Sequence, residues 1–214
     1  MSTSTLYTVT ADNPAAVIAH MLEVYFPDAT TALDATYGNR KFWTADTALR
    51  VTSLDLDPAR ARDVCGDFRA LPFLNDSFDV VIFDPPHLSY PGKHSAMGKR
   101  FGGWKNHAAM RAGITAGCRE AWRAARLGVI VKVTDHTQGA RFIYQSGVVL
   151  RALGEDLIYG QITTYTTDRK MARADWTANG PQLSAYTNGA VHWAFRKDGP
   201  IHKRRPGALQ RGAA

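Results

Sequence analysis

The tetrapeptide Asp84-Pro85-Pro86-His87 contains the residue types best suited to chemistry in this chain of 214 residues. It follows directly on an apolar run, Val80 to Phe83, so it stands where a strand gives way to a turn. Two consecutive prolines stiffen that turn and carry no N–H group, which lets the local carbonyl oxygens face outward as hydrogen-bond acceptors. Together with the carboxylate of Asp84, these oxygens form a surface that can accept the protons of an amine.

Two further acidic residues stand at the same kind of position. Asp34 ends the run Thr31 to Asp34, and Asp55 ends the run Val51 to Asp55. A single Asp-Pro pair is common in turns that have no function, so the tetrapeptide alone could simply end a strand. Three strands that each end on an acid are more informative, because the carboxyl ends of parallel strands share one edge of a sheet. Asp34, Asp55 and Asp84 are therefore expected to converge.

Helical patterns separate these strands. Asn13-Pro14 has the form of a helix start, and the apolar residues that follow recur on one face until Pro27. A second helix carries apolar residues on one face from Met110 to Ala125 and is predicted to end at Leu127-Gly128.

The last strands differ in their connections. Val129 to Val133 is predicted as a strand directly after the second helix. Residues 156–165 and 191–196 are predicted as two more strands without a long helix between them, so this end of the sheet is expected to be antiparallel. The alternation of strands and helices predicts an α/β fold with a mostly parallel sheet and helices on both faces.

The tetrapeptide resembles the D-P-P-aromatic motif of S-adenosylmethionine-dependent methyltransferases that act on the exocyclic amine of adenine or cytosine. The resemblance implies catalytic roles for Asp84, Pro85, Pro86 and His87. The Asp84 carboxylate and the Pro85 carbonyl would accept both protons of the amine, which favours a pyramidal nitrogen whose lone pair points at the sulfonium methyl. His87 stands where the family usually has Tyr, Phe or Trp, the ring that stacks on the base.

The upstream acids resemble the cofactor motifs of the same superfamily, in the same order. Residues 34–40 resemble its D-x-x-x-G-x-G loop, with Arg40 in place of the second glycine. Asp55 matches the acid that holds the ribose hydroxyls, with Asp57 as a competing candidate. The segment from Gly66 resembles the stretch whose acid receives the adenine amine. The resemblance therefore implies that S-adenosylmethionine is bound by Asp34, Ala35, Thr36, Gly38, Asp55, Asp67, Phe68 and Asp84.

Later segments extend the resemblance over about residues 30–197. Residues 120–132 resemble the E-x-x-R-x-L-x-P-G-G-x-x-x-x-K run of bacterial DNA amino-methylases, and residues 191–197 resemble their closing H-x-x-x-F-x-K strand. The implied fold is a single-domain, Rossmann-like class I methyltransferase fold, with a mostly parallel seven-stranded sheet and an antiparallel C-terminal end. Residues 1–200 are predicted to form this domain, and residues 201–214 a basic, disordered tail.

Charge is divided unevenly along the chain. Residues 1–87 hold 6 Lys/Arg against 12 Asp/Glu, although the whole chain has a net charge of +7. A basic C-terminal part could bind a polyanion, because each phosphate that it neutralises releases a condensed counterion. The alternative interpretation of this charge is a basic surface that is simply solvated. We predict contacts with nucleic acid, with DNA as the preferred partner, in two loops: Lys93, Lys99, Arg100, Trp104 and Lys105 in the first, and Arg169, Lys170 and Arg173 in the second.

Several functions are compatible with these motifs. Methylation of adenine N6 in DNA is preferred, because an acid that opens the Pro-Pro motif is the commoner form in adenine methylases. The alternatives are methylation of cytosine N4 in DNA, methylation of a base amine in RNA, and a non-catalytic nucleic-acid-binding protein on the same fold. Carbon-5 methylation of cytosine is disfavoured, since neither Cys65 nor Cys118 follows a proline. With no metal-type cluster and no apolar run of membrane-span length, a cytoplasmic protein without a metal is expected.

Overall fold

The computed structural model describes residues 9–10, 13–43, 47–89, 102–138, 141–165 and 189–197. The helices are α1 (Pro14–Tyr25), α2 (His107–Ala124) and α3 (Gln145–Leu153), with a short 3-10 helix at Glu155–Leu157. The strands are β1 (Val9–Thr10), β2 (Thr31–Asp34), β3 (Arg50–Asp55), β4 (Val64–Cys65), β5 (Phe78–Phe83), β6 (Ala125–Val133), β7 (His136–Gln138), β8 (Arg141–Ile143), β9 (Ile158–Tyr165) and β10 (Gly189–Arg196). No helix within these ranges is both long and apolar enough to cross a membrane.

One large sheet has the strand order β1-β9-β10-β6-β5-β2-β3-β4. The five strands from β6 to β4 in this order run parallel to one another. Strand β10 is antiparallel to both β6 and β9, which confirms the α/β fold with an antiparallel C-terminal end. The strands from β9 to β4 number seven, as the resemblance implied, although β4 was not predicted by position. Strand β1, which pairs with β9 in parallel, is an eighth that was not predicted.

The sheet is covered on both faces. From Val80 to Phe83 strand β5 is continuously apolar, because these side chains are buried alternately against the two layers. Val80 and Ile82 pack in the same apolar cluster as the buried face of α1. Val81 and Phe83 pack in the other cluster, with the buried residues of α2. This packing holds β2 and β5 in register, so that their carboxyl ends reach the same edge of the sheet.

The predicted end of the second helix at Leu127-Gly128 is wrong. Helix α2 ends at Ala124, and Gly128 lies inside β6, where an added Cβ would overlap the carbonyl oxygen of Phe195 on β10. The glycine thus permits close approach of two strands and does not terminate a helix. Two further elements were not predicted: the β7–β8 hairpin, which is a separate two-stranded sheet, and helix α3 directly after it.

Candidate active site

A cavity of about 690 Å³ lies at the carboxyl ends of the central strands. The predicted residues in its wall come from four segments that are distant in the chain. The predicted cofactor and catalytic residues that line it are Ala35, Thr36, Gly38, Asp55, Asp67, Phe68, Asp84, Pro85, Pro86 and His87. The strand order therefore brings together every predicted cofactor and catalytic residue except Asp34, which lies beneath the loop it begins.

The loop after β2 adopts the conformation that two glycines would favour. Gly38 has a φ of +52° and Arg40 a φ of +59°, so Arg40 occupies the left-handed region at the position where the family motif has glycine. That conformation costs a residue with a side chain roughly 1–2 kcal/mol. The Arg40 guanidinium lies 5.9 Å from the centre of the Tyr37 ring, and the Gly38 N–H donates to Asp55 Oδ2 at 2.8 Å. Arg40 thus replaces the second glycine of the family motif, but the backbone at this position keeps the left-handed conformation that a glycine would favour.

Asp34 is fully buried and holds this loop from below. Trp43 Nε1 donates to Asp34 Oδ2 at 2.7 Å, and the Thr36 N–H donates to Oδ1 at 3.1 Å. Burial raises the pKa of Asp34 to about 7, and the charges of Asp84 and Asp55 add to this effect, while the two hydrogen bonds oppose it. Asp34 is therefore a structural acid that changes charge near neutral pH.

This titration predicts a pH-dependent stability. Because the folded state keeps the Asp34 proton up to a pH of about 7 and the unfolded state releases it near pH 4, the free energy of unfolding should fall as the pH rises through that window. In Asp34→Asn that contribution disappears. Between pH 5 and pH 8 we expect the free energy of unfolding of the wild type, measured by urea denaturation, to fall by on the order of 2 kcal/mol relative to that of Asp34→Asn. Parallel stability curves for the two proteins would contradict the assignment.

The other acids of the site have different partners. The Asp55 carboxylate accepts two backbone N–H groups, those of Gly38 and Asp57, each at 2.8 Å. Asp57 instead forms an ion pair with Arg60 at 3.2 Å. Asp67 forms a two-point ion pair with Arg69, and the hydrogen bond from Arg69 holds the pKa of Asp67 below its usual range. Asp55 is thus fixed in position without a cation engaging it in these contacts.

Asp84 is paired with a lysine that the sequence analysis did not select. Lys132 Nζ donates to both carboxylate oxygens of Asp84, at 2.9 and 2.8 Å. The Asp84 N–H donates to Thr36 Oγ1 at 2.8 Å, which connects the turn after β5 to the loop after β2. Lys132 is the final lysine of the run at residues 120–132, and that match was the signal that could have identified it.

His192 lies directly behind this ion pair. It is opposite Lys132 in the β10–β6 register and is completely buried. Burial lowers the pKa of His192 to about 4, and the nearby charge of Lys132 lowers it further, while Asp84 acts in the opposite direction. His192 is therefore neutral at physiological pH.

Two side chains fix carbonyl groups of the turn after β5. Trp104 Nε1 donates to the Pro86 carbonyl oxygen at 2.5 Å, and Gln145 Nε2 donates to the His87 carbonyl oxygen at 2.8 Å. The Trp104 ring packs over Gly113 of α2, where an added Cβ would overlap it, and only 9% of Trp104 is exposed. Trp104 thus lies in the core at the edge of the cavity. In this position its ring supports the turn, and little of its surface is open for the predicted contact with nucleic acid.

The contacts predicted between nucleic acid and the remaining basic residues stay predictions. Lys105 is exposed, next to Trp104. The others lie outside the described residues: Lys93, Lys99, Arg100, Arg169, Lys170 and Arg173.

Comparison with known proteins identifies the fold. No family model and no curated protein matches the chain. Among solved structures, the Bacillus halodurans C-125 protein BH2331, described as a candidate methyltransferase, is 14% identical, with a TM-score of 0.50 over 85% of this chain and 99% of that one. The [4+2]-cyclase SpnF is 16% identical, with a TM-score of 0.52 over 86% and 81%. The MccD protein is 8% identical, with a TM-score of 0.50 over 87% and 100%.

Likeness at this level of identity establishes architecture and leaves the reaction open, since one of these neighbours is a cyclase. The strand order and the three neighbours agree on that architecture. The chain has the mixed α/β, Rossmann-like fold of the class I methyltransferases.

Proposed function

We propose that the chain is an S-adenosylmethionine-dependent methyltransferase that transfers a methyl group to an exocyclic base amine in DNA, with adenine N6 as the target. The observation that carries the proposal is the shared cavity, which is lined both by the cofactor-type acids Asp55 and Asp67 and by Asp84-Pro85-Pro86-His87. Its volume of about 690 Å³ lies within the usual range of ligand sites, about 300–1,000 Å³.

The assignment of the cofactor site follows from the acidic residues that line the cavity. Asp55 holds the ribose hydroxyls in this proposal, because its carboxylate is fixed by two backbone N–H groups and retains acceptor capacity, whereas Asp57 is engaged by Arg60. Asp67 receives the adenine amine, beside the ring of Phe68. The Asp55 carboxylate, which no cation engages in these contacts, adds negative charge to a cavity that would receive the sulfonium and ammonium groups of the cofactor.

The assignment of the site for the target amine follows from the rigidity of the turn Asp84-Pro85-Pro86-His87, which we call the catalytic turn. Lys132 occupies one acceptor position on each Asp84 oxygen, and a carboxylate has about four such positions, so Asp84 can still accept a proton of the target amine. The Pro85 carbonyl accepts the other amine proton. As the nitrogen–carbon bond forms, the carbon–sulfur bond breaks and its electron pair stays on sulfur. The cationic amine then releases a proton to water or to Asp84.

The target must leave the base stack before this can happen. The amine of a paired base lies inside the duplex, so the enzyme either extrudes the nucleotide, at a cost of a few kcal/mol, or acts on single strands. His87 provides a ring beside the cavity on which the extruded base can stack.

The proposal is tested by nucleoside mass spectrometry on DNA and RNA from cells that express the wild type or Asp84→Ala. N6-methyldeoxyadenosine above background in the wild type alone is the expected result. N4-methyldeoxycytidine would instead support the cytosine alternative, and a methylated ribonucleoside would support the RNA alternative. No new methylated nucleoside would contradict the proposal.

His87 provides a separate prediction. If its ring serves as a stacking platform, His87→Phe should retain or increase turnover, since a phenyl ring also has a π-face and can keep the edge-to-face contact with His136, whose ring centre is 6.0 Å away. His87→Ala should lose about ten- to a hundredfold in rate, equivalent to the roughly 1–3 kcal/mol of a base-stacking contact. Both are measured at saturating cofactor. Lower activity of His87→Phe than of His87→Ala, with loss of one limb of the pH–rate profile, would indicate a proton-transfer role.

A further inference from the structure

Two aromatic rings are exposed side by side next to the β7–β8 hairpin. Phe142 and Tyr144 are 60% and 52% exposed, and their ring centres are 6.3 Å apart with an angle of 24° between the planes. Single exposed apolar residues need no explanation, but a stacked pair forms a contiguous patch of the kind that marks binding surfaces. We name Phe142 and Tyr144, with Arg141 and Arg151, the hairpin platform.

The local structure fixes the orientation of these rings. In the hairpin register Thr137 is opposite Phe142 and His136 is opposite Ile143. Ile143 is buried, so Phe142, one residue away on a strand, points to the outer face. The Tyr144 ring lies over Gly147 of α3, where an added Cβ would overlap it. The absence of a side chain at Gly147 therefore provides the space in which the Tyr144 ring is seated.

The charge beside the rings is positive. Arg141 and Arg151 are both exposed, and Arg151 Nη1 lies 3.3 Å from the position that a Cβ on Gly147 would take, on the same side as the Tyr144 ring. The carboxylate of Asp135 accepts the Ser146 N–H at 2.8 Å, at the start of α3. Aromatic faces interleaved with arginines are the combination that binds single-stranded nucleic acid, through base stacking and phosphate contacts.

The hairpin is also fastened to the catalytic turn. Gln145, the neighbour of Tyr144, donates to the His87 carbonyl oxygen at 2.8 Å. The Gln138 side chain forms hydrogen bonds with both the N–H and the carbonyl of Ser89. The β7–β8 hairpin thus contacts Ser89 and the start of α3 contacts His87, so in this inference a strand that delivers a base to His87 runs next to the hairpin platform.

We infer that the hairpin platform binds nucleotides that flank the target base in single-stranded DNA, by stacking two bases on Phe142 and Tyr144. This inference rests on the proposed function for the identity of the ligand. It adds a binding surface that lies outside the cavity and outside the two loops predicted from the sequence.

The test uses fluorescence anisotropy with a labelled single-stranded DNA of about 12 nucleotides, a length within the usual range of such sites. We expect Phe142→Ala and Tyr144→Ala each to weaken binding about tenfold, with an unchanged slope of log affinity against log salt. Arg141→Gln combined with Arg151→Gln should instead flatten that slope by roughly 1.4. Leu74→Ala removes a side chain that is 84% exposed outside the platform, and it serves as the matched control.

The outcomes separate this inference from the proposed function. If the wild type methylates DNA but Phe142→Ala and Tyr144→Ala bind the strand as tightly as Leu74→Ala does, the platform is wrong and the function stands. If the wild type does not bind the strand, the platform is also wrong, and the nucleoside analysis in cells decides the function independently. Binding of an RNA of the same sequence more than tenfold tighter than the DNA would overturn the assignment to DNA. Thermal denaturation of each variant verifies that it is folded.

Discussion

Asp84→Ala is expected to abolish methyl transfer, with a loss of at least about a thousandfold in kcat, while the affinity for S-adenosylmethionine changes only a few fold. In the proposed mechanism Asp84 accepts a proton of the target amine, and a misplaced or missing positioning group costs orders of magnitude in rate. The cofactor contacts are assigned mainly to other residues, above all Asp55. Isothermal titration calorimetry gives the affinity, and methyl transfer to DNA gives the rate.

Asp55→Ala is the matched control for this prediction, since it removes a carboxylate from the same cavity. It should weaken cofactor binding strongly and restore turnover in part when the cofactor concentration is raised. Asp84→Asn, which keeps the shape of the side chain but presents N–H groups towards Lys132, should be nearly as inactive as Asp84→Ala. Near-normal turnover of Asp84→Ala would show that the catalytic turn has been assigned incorrectly.

Lys132→Met should reduce kcat about a hundredfold and leave the affinity for cofactor nearly unchanged. Lys132 holds both oxygens of Asp84, so its loss releases the carboxylate from the orientation that the amine requires. Lys132→Arg should recover most of the activity, because a guanidinium can also donate to both carboxylate oxygens. Lys132 is thus predicted to be a positioning residue that acts through Asp84.

His192 provides a readout that a general loss of stability would not reproduce. Its pKa is held near 4 by burial and by the charge of Lys132, against the opposite effect of Asp84. When the lysine charge is removed and Asp84 remains, the pKa of His192 should rise, which an NMR titration of the imidazole protons can measure. An unchanged pKa in Lys132→Met, together with full activity, would contradict the proposed role of the ion pair.

The convergence of acids at one edge of the sheet was predictable from the sequence. Asp34 and Asp55 each end a predicted strand and Asp84 directly follows one, and parallel strands place such residues together. What the pattern could not distinguish was depth. Asp34 is completely buried beneath its loop, whereas Asp55 and Asp84 line the cavity, and that difference depends on packing around Trp43.

Other parts of the site depend on contacts between distant segments and had no local signal. The strands of the β7–β8 hairpin have three residues each, too few for an alternating pattern to be recognised. Gln145 and Trp104 fix the catalytic turn through single hydrogen bonds across 58 and 18 residues of chain. The sequence predicts Gly128 as a helix stop. The reason for a glycine there is the close approach of the β10 backbone, which belongs to a distant part of the sequence and leaves no local signal.

The most direct test of the proposed function uses purified protein, DNA and S-adenosylmethionine that carries a deuterated methyl group. After digestion to nucleosides, mass spectrometry should detect N6-methyldeoxyadenosine with the deuterated methyl group in the wild-type reaction and none in the Asp84→Ala reaction. Calorimetry on the same preparation establishes whether the wild type binds the cofactor. If it does, and no nucleoside of the DNA carries a labelled methyl group, the proposed function is contradicted.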